Sequence, residues 1–107
     1  MTVSIHPTAI VEPGADIGEN VTIGALAYVG PDVVLSDNCV LHPKATVFGH
    51  THLGEAVEIY PGSVIGGPPQ VLGYKPSAES RLEVGARTIL REHTTLHTGS
   101  PEHGGLT

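Results

Sequence analysis

From Ile5 onward every sixth residue is a large aliphatic: Ile5, Val11, Ile17, Ile23, Val29, Leu35, Leu41, Val47, Leu53, Ile59 and Ile65. The same register resumes at Val84, Leu90 and Leu96. A second column of smaller residues lies four positions after each: Ala9, Ala15, Val21, Ala27, Val33, Cys39, Ala45, Thr51, Val57 and Ser63, then Thr88, Thr94 and Ser100, with Pro69 the misfit. Internal repeats of fixed period decide architecture before any single element does. A β-sandwich would alternate with period two and would not hold a period of six over this length.

A six-residue unit is a short strand and a corner. Three units close a triangular coil of 18 residues, and successive coils stack at the strand spacing of about 4.8 Å. Large aliphatics then point inward and lie on their equivalents one coil away, while the smaller column lets the chain turn without overfilling a narrow prism. Composition fits such a core. Trp is absent and aromatics are 4% of the chain, so Val, Ile, Leu and Ala must fill it. Glycine recurs at the second position of the hexad (Gly18, Gly24, Gly30, Gly54, Gly66, Gly85), where permissive dihedrals near a corner are the expected reason. The expectation is an all-β fold, a parallel β-helix of about 4.7 coils forming one domain over 1–107. The repeat does not set its handedness, since parallel crossovers are ordinarily right-handed.

The register breaks once. Ile65 and Val84 are 19 residues apart, not a multiple of six. Counting hexads assigns coils to 5–70 and 84–101 and an extruded loop to 71–83. Insertions in solenoids gather on one face, often the binding face.

Charge is uneven in the same place. Residues 1–70 carry seven acidic side chains and one basic one, Lys44. Lys75, Arg81, Arg87 and Arg91 follow within 75–91. That island suits an anionic ligand such as a nucleotide diphosphate. The net charge of −6 argues against a nucleic-acid partner. No apolar run reaches the length of a membrane span, and the N-terminus lacks a secretory signal. The single cysteine, Cys39, rules out an internal disulfide. A cytoplasmic protein is expected.

Seven histidines are many for 107 residues. His6 and His42 should stack two coils apart, His50 and His52 should flank a corner, and His93 and His97 should face different ways. The gamma-class carbonic anhydrases, also built of hexapeptide repeats, bind zinc through histidines that include a pair separated by four residues. Here the close pairs are His50-x-His52, His93-x3-His97 and His97-x5-His103, so no metal site is expected.

The chain resembles the N-terminal part of the UDP-N-acetylglucosamine acyltransferases of lipid A biosynthesis. The opening Ile5-His6-Pro7-Thr8-Ala9-Ile10-Val11 is shared by many hexapeptide acyltransferases. More specific are Gly49-His50-Thr51, Ile59-Tyr60, and Ile65-Gly66 leading to Pro69-Gln70-x-Leu72-x-Tyr74. Arg91-Glu92, Thr95-Leu96-His97-x-Gly99 and Gly104-Gly105-Leu106-Thr107 follow in the family's order and spacing.

This resemblance implies a left-handed β-helix, a homotrimer, and transfer of a 3-hydroxyacyl group from acyl carrier protein to the 3-hydroxyl of UDP-N-acetylglucosamine, without a cofactor. It places Gln70 in the loop against the nucleotide sugar and His97 in the cleft between subunits, with Tyr74, Lys75 and Arg81 as further substrate contacts. An Asp and a Lys that usually follow the glutamine are replaced by Val71 and Gly73; Lys75 takes the lysine's place only by a shift within the loop. The family's catalytic histidine lies beyond the Gly-Gly-Leu-Thr segment, and none of the histidines here matches it. The sequence therefore reads as the start of such an enzyme, cut short at its C-terminal end and inactive alone. A non-catalytic nucleotide-sugar-binding or trimerisation module is the alternative.

Overall fold

The computed structural model describes residues 3–67, 81–98 and 106. Its strands in chain order are β1 (Ser4–Ile5), β2 (Ile10–Val11), β3 (Asp16–Ile17), β4 (Thr22–Ile23), β5 (Tyr28–Val29), β6 (Val34–Leu35), β7 (Val40–Leu41), β8 (Thr46–Val47), β9 (His50–Leu53), β10 (Glu58–Ile59), β11 (Val64–Gly67), β12 (Arg81–Val84), β13 (Ile89–Leu90) and β14 (Thr95–His97). Every third strand joins the same sheet. Sheet A is β1-β4-β7-β10-β13, sheet B is β2-β5-β8-β11-β14, and sheet C is β3-β6-β9-β12. All pairings are parallel, and the three sheets are the walls of a left-handed β-helix.

Each inward residue stacks on its equivalent: Ile5 on Ile23, Ile23 on Leu41, Leu41 on Ile59. Both columns found in the sequence are buried in the middle coils. Ile23, Leu35, Leu41, Leu53, Ile59 and Ile65 are fully enclosed, as are Val21, Val33, Cys39, Ala45 and Val57. Enclosure needs a coil on either side, so Ile5 in the first coil is 44% exposed while Leu41 is sealed. Two polar members of the small column keep their hydroxyls satisfied. Thr51 Oγ1 donates to the Phe48 carbonyl at 2.8 Å, and Ser63 Oγ donates to that of Arg91 at 2.7 Å. A buried hydroxyl without such an acceptor would cost about 1–3 kcal/mol.

The corners are built by left-handed backbone one position earlier than the small column. Asn20, Leu26, Asn38, Lys44, Ala56, Arg87 and His93 all have φ between 58° and 67°. This conformation costs a side chain other than glycine or asparagine about 1 kcal/mol. Its return is a hydrogen bond between coils: Asn38, Lys44, Ala56 and Arg87 donate their N–H to Glu19, Ala25, Asp37 and Glu55 carbonyls at 2.8–2.9 Å. The second-position glycines have a different role from the one the sequence suggested. With the exception of Gly66 they do not take positive φ. Gly18, Gly24 and Gly54 are small because the next coil's corner crosses above them: a Cβ on Gly54 would lie 2.7 Å from the Ala86 amide nitrogen, and one on Gly24 2.7 Å from that of Pro43, whereas Gly85 has open space there.

The break also moves. Partners lie 18 residues apart until Ile59, Leu53 and Ile65 meet Leu90, Val84 and Leu96, 31 residues on. Thirteen residues are thus added, but they end before Arg81, which pairs with His50. Residues 81–83, expected in the loop, form β12 instead. The six-residue count placed the return of the register at Val84 and passed over Leu82, which is buried opposite Thr51 of the small column. Residues 68–80 lie outside the described residues.

Two outcomes test this packing by urea unfolding. Gly54→Ala should destabilise by about 1–3 kcal/mol, the cost of overpacking. Gly85→Ala, whose Cβ meets nothing within 4 Å, should stay within about 0.5 kcal/mol of wild type. Burial raises the Cys39 thiol pKa, and its sulfur donates to the Gly54 carbonyl at 3.2 Å. A disulfide reagent at neutral pH should therefore leave Cys39 unmodified in the folded chain and label it fully in denaturant; rapid native labelling would contradict the sealed core.

Candidate functional site

A regular prism has flat walls, so concavity arises where regularity fails. β11 is the irregular strand. Its register against β14 shifts between Ile65 and Gly67, so that His97 stands opposite Gly67. Gly66 has φ 93°, and a Cβ there would collide with the Phe48 carbonyl oxygen. Only glycine fits. Gly67 is the last described residue before segment 68–80 and Arg81 the first after it. The segment named by the sequence thus leaves and rejoins the solenoid at the corner between sheets B and C.

Of the expected substrate contacts, His97 lies on sheet B beside that exit, half-buried, and Arg81 begins β12 on sheet C, exposed. The two flank the segment from its two ends. Gln70, Tyr74 and Lys75 lie outside the described residues.

Below Arg81 on the same corner come His50 and Asp32, with His50 Nε2 3.9 Å from Asp32 Oδ2. His52 Nε2 and Ser36 Oγ share a hydrogen bond of 2.9 Å. A shallow hollow of about 170 Å³ lies between Val34, His50, His52, Arg81 and Glu83. A larger one of about 410 Å³ is walled by Asp16, Asp37 and Glu55. Those carboxylates make it the wrong place for a diphosphate.

The three arginines of the basic island part on folding, while Lys75 lies outside the described residues. One coil wraps the whole prism, so residues close in sequence face different ways. Arg81 is at the B–C corner, Arg87 at the left-handed corner leading into sheet A, and Arg91 follows β13 at the end of sheet A. Arg91 is also engaged. Its Nε donates to Glu92 Oε1 at 3.1 Å, and its guanidinium lies 4.4 Å from the centre of the Tyr60 ring. The Glu92 carboxyl is held below its ordinary range by its own backbone amide and then by Arg91.

Tyr60 in turn stacks on His42, ring centres 4.5 Å apart, and His42 Nε2 meets Glu58 Oε2 at 2.6 Å. Sequence reasoning missed this column, although its signal was available. Leu41, Ile59 and Leu90 are stacked inward positions, so the residues after them must share an outer column. Among the described residues no three His, Cys, Asp or Glu side chains converge as metal ligands.

Known proteins resemble this chain along nearly its whole length. A family model for the bacterial transferase hexapeptide (six repeats) matches residues 14–49. The acyl-(acyl-carrier-protein)–UDP-N-acetylglucosamine O-acyltransferase of Agrobacterium fabrum is 52% identical over 103 residues, covering 96% of this chain and 38% of that protein. The Rickettsia canadensis enzyme of the same name is 40% identical over 104 residues, covering 97% and 39%. Among solved structures, LpxA from Acinetobacter baumannii superposes with a TM-score of 0.92 at 38% identity, covering 96% of this chain and 40% of that one. The UDP-N-acetylglucosamine acyltransferase from Campylobacter jejuni gives 0.90 at 32% identity, covering 97% and 40%. The chain spans about two fifths of the length of these relatives. Along nearly all of its own length, in sequence and in fold, it is similar to the N-terminal part of the UDP-N-acetylglucosamine O-acyltransferases.

Proposed function

We propose that this chain forms the nucleotide-sugar-binding start of an O-acyltransferase. The enzyme would move a 3-hydroxyacyl group from acyl carrier protein to the 3-hydroxyl of UDP-N-acetylglucosamine, the first step of lipid A biosynthesis. The observation that carries this reading is likeness over 96% of the chain to an enzyme so named at 52% identity. The single insertion supports it, because it falls where the strand register is broken and where His97 and Arg81 stand.

The chemistry defines what the chain supplies. The sugar hydroxyl attacks the thioester carbon; a C–O bond forms, the C–S bond breaks, and the proton passes through a base to the leaving thiolate. The thioester is already activated, so no cofactor is required. A histidine suits the base, but in this reading that histidine is not among the seven present. The residues here bind and orient the acceptor instead. Gln70, Tyr74 and Lys75 contact the nucleotide sugar from the inserted segment, Arg81 offers charge to the diphosphate, and His97 lines a cleft completed by a neighbouring subunit of a homotrimer. The reaction belongs in the cytoplasm, where acyl carrier protein is found. Among the described residues no helix is long and apolar enough to cross a membrane.

Calorimetric titration with UDP-N-acetylglucosamine tests the reading. The chain should bind, and Gln70→Ala and His97→Ala should each weaken binding roughly tenfold, the worth of one hydrogen bond in a site. Arg87→Ala, at another corner, should leave affinity unchanged. With acyl-carrier-protein thioester added, the 107-residue chain should show no turnover. Robust turnover would place the base within it, and absence of binding in wild type would remove the acceptor role.

A further inference from the structure

His97 sits on the rung where the ladder between β11 and β14 is disturbed. Three observations meet there. The register shift places His97 opposite Gly67 rather than Gly66. Gly67 carries no side chain, and its carbonyl accepts the Thr98 amide at 2.8 Å, tying the two strands together at this point. The position a Cβ would take on Gly67 lies 3.5 Å from His97 Nδ1 and 3.7 Å from Phe48 Cζ. Two rings from coils on either side thus converge over one bare rung, and Gly67 is buried beneath them.

A β-bulge re-aims a side chain, and bulges collect beside active sites. A ring packed beside such an imidazole narrows the angles it can take. Phe48 is the only phenylalanine in the chain and is half-buried on the outside of sheet B. Its ring contributes nothing to the prism interior, which is filled by the aliphatic columns. Its backbone carbonyl meanwhile accepts the Thr51 hydroxyl and crowds Gly66. The same residue therefore fixes the bulge through its backbone and reaches the His97 rung through its ring.

We propose that Phe48, across the Gly66–Gly67 bulge, is a positioning residue for His97 and sets the orientation in which that imidazole meets the nucleotide sugar. This rests on the reading of His97 as an acceptor contact. Phe48 itself touches no substrate in this proposal. Its effect passes through the imidazole.

The test pairs a spectroscopic readout with a binding one on the full chain. In wild type the His97 ring protons should show an aromatic ring-current shift. Phe48→Ala should abolish that shift and weaken UDP-N-acetylglucosamine binding roughly tenfold, as expected when an oriented hydrogen bond is lost. Phe48→Tyr should restore both. In a His97→Ala background, Phe48→Ala should cause no further loss of affinity, because the imidazole it positions is gone. Unchanged His97 resonances in Phe48→Ala would overturn the proposal, and so would an equal loss of affinity in the His97→Ala background. Failure of wild type to bind, with the ring-current shift present, would instead overturn the acceptor role of His97 and leave Phe48 as packing alone.

Discussion

The structure depends on one contact repeated: a strand N–H reaching a carbonyl one coil further along. Ser4 donates to Val21, Ile10 to Ala27, Thr22 to Cys39 and Tyr28 to Ala45, all at 2.9–3.0 Å. Among the described residues no strand exceeds four residues, and a two-residue strand has no independent stability. Each is held only because the strands of neighbouring coils present the same pattern at the same height. The six-residue period is thus the sequence's way of keeping the ladder in step. An inward aliphatic that drifted by one position would turn its side chain outward and break the stack above and below.

The same constraint explains why thirteen extra residues are tolerated and why they sit where they do. Closing a longer loop costs little, since the entropy penalty grows only with the logarithm of its length. Losing register would cost every rung beyond. The chain therefore absorbs the insertion at a corner and returns with Arg81 paired to His50 and Val84 to Leu53, as if nothing had intervened. Among the described residues the adjustment falls at Gly66 and Gly67, two residues without side chains. Gly66 can take the bulge and the close approach of the Phe48 carbonyl that other residues could not.

What the sequence disclosed follows from what the period encodes. The inward columns were readable because every coil demands the same thing of them, and the likeness in fold to solved structures agrees. The second-position glycines were readable as necessary but not as to cause. A tight turn and a tight crossing both select glycine, and only the geometry at Gly24 and Gly54 tells them apart. Residues 81–83, assigned to the loop by counting, belong to β12: Leu82 fills the small column opposite Thr51, but the count resumed only at the large aliphatic Val84. The arginine cluster misled for a topological reason: in a solenoid, neighbours in sequence diverge around the prism, whereas residues one coil apart meet. His42, Tyr60 and Arg91 show the converse, far apart in the chain and in contact in space.

This rule also bears on how a site can be made from such a fold. Side chains on a flat parallel wall stand in columns about 4.8 Å apart, too regular to enclose a sugar or a diphosphate. Concavity has to come from a bulge, an insertion, or a second wall laid against the first. At the B–C corner the first two coincide. The register shift sets His97 opposite Gly67, segment 68–80 begins beside it, and Arg81 stands where the described chain resumes. Neither His97 nor Arg81 is unusual for a solenoid surface when taken singly. Their distinction is that both belong to the corner where, among the described residues, the ladder is interrupted, so a ligand held by the inserted segment would meet both ends of it. The wall opposite, with its own His42–Tyr60–Arg91 column, is chemically richer. Yet His42 and Arg91 there are bound to Glu58 and Glu92, Tyr60 is stacked between them, and the sheet beneath keeps its register. Chemistry alone would have chosen that wall; the interrupted ladder selects the corner.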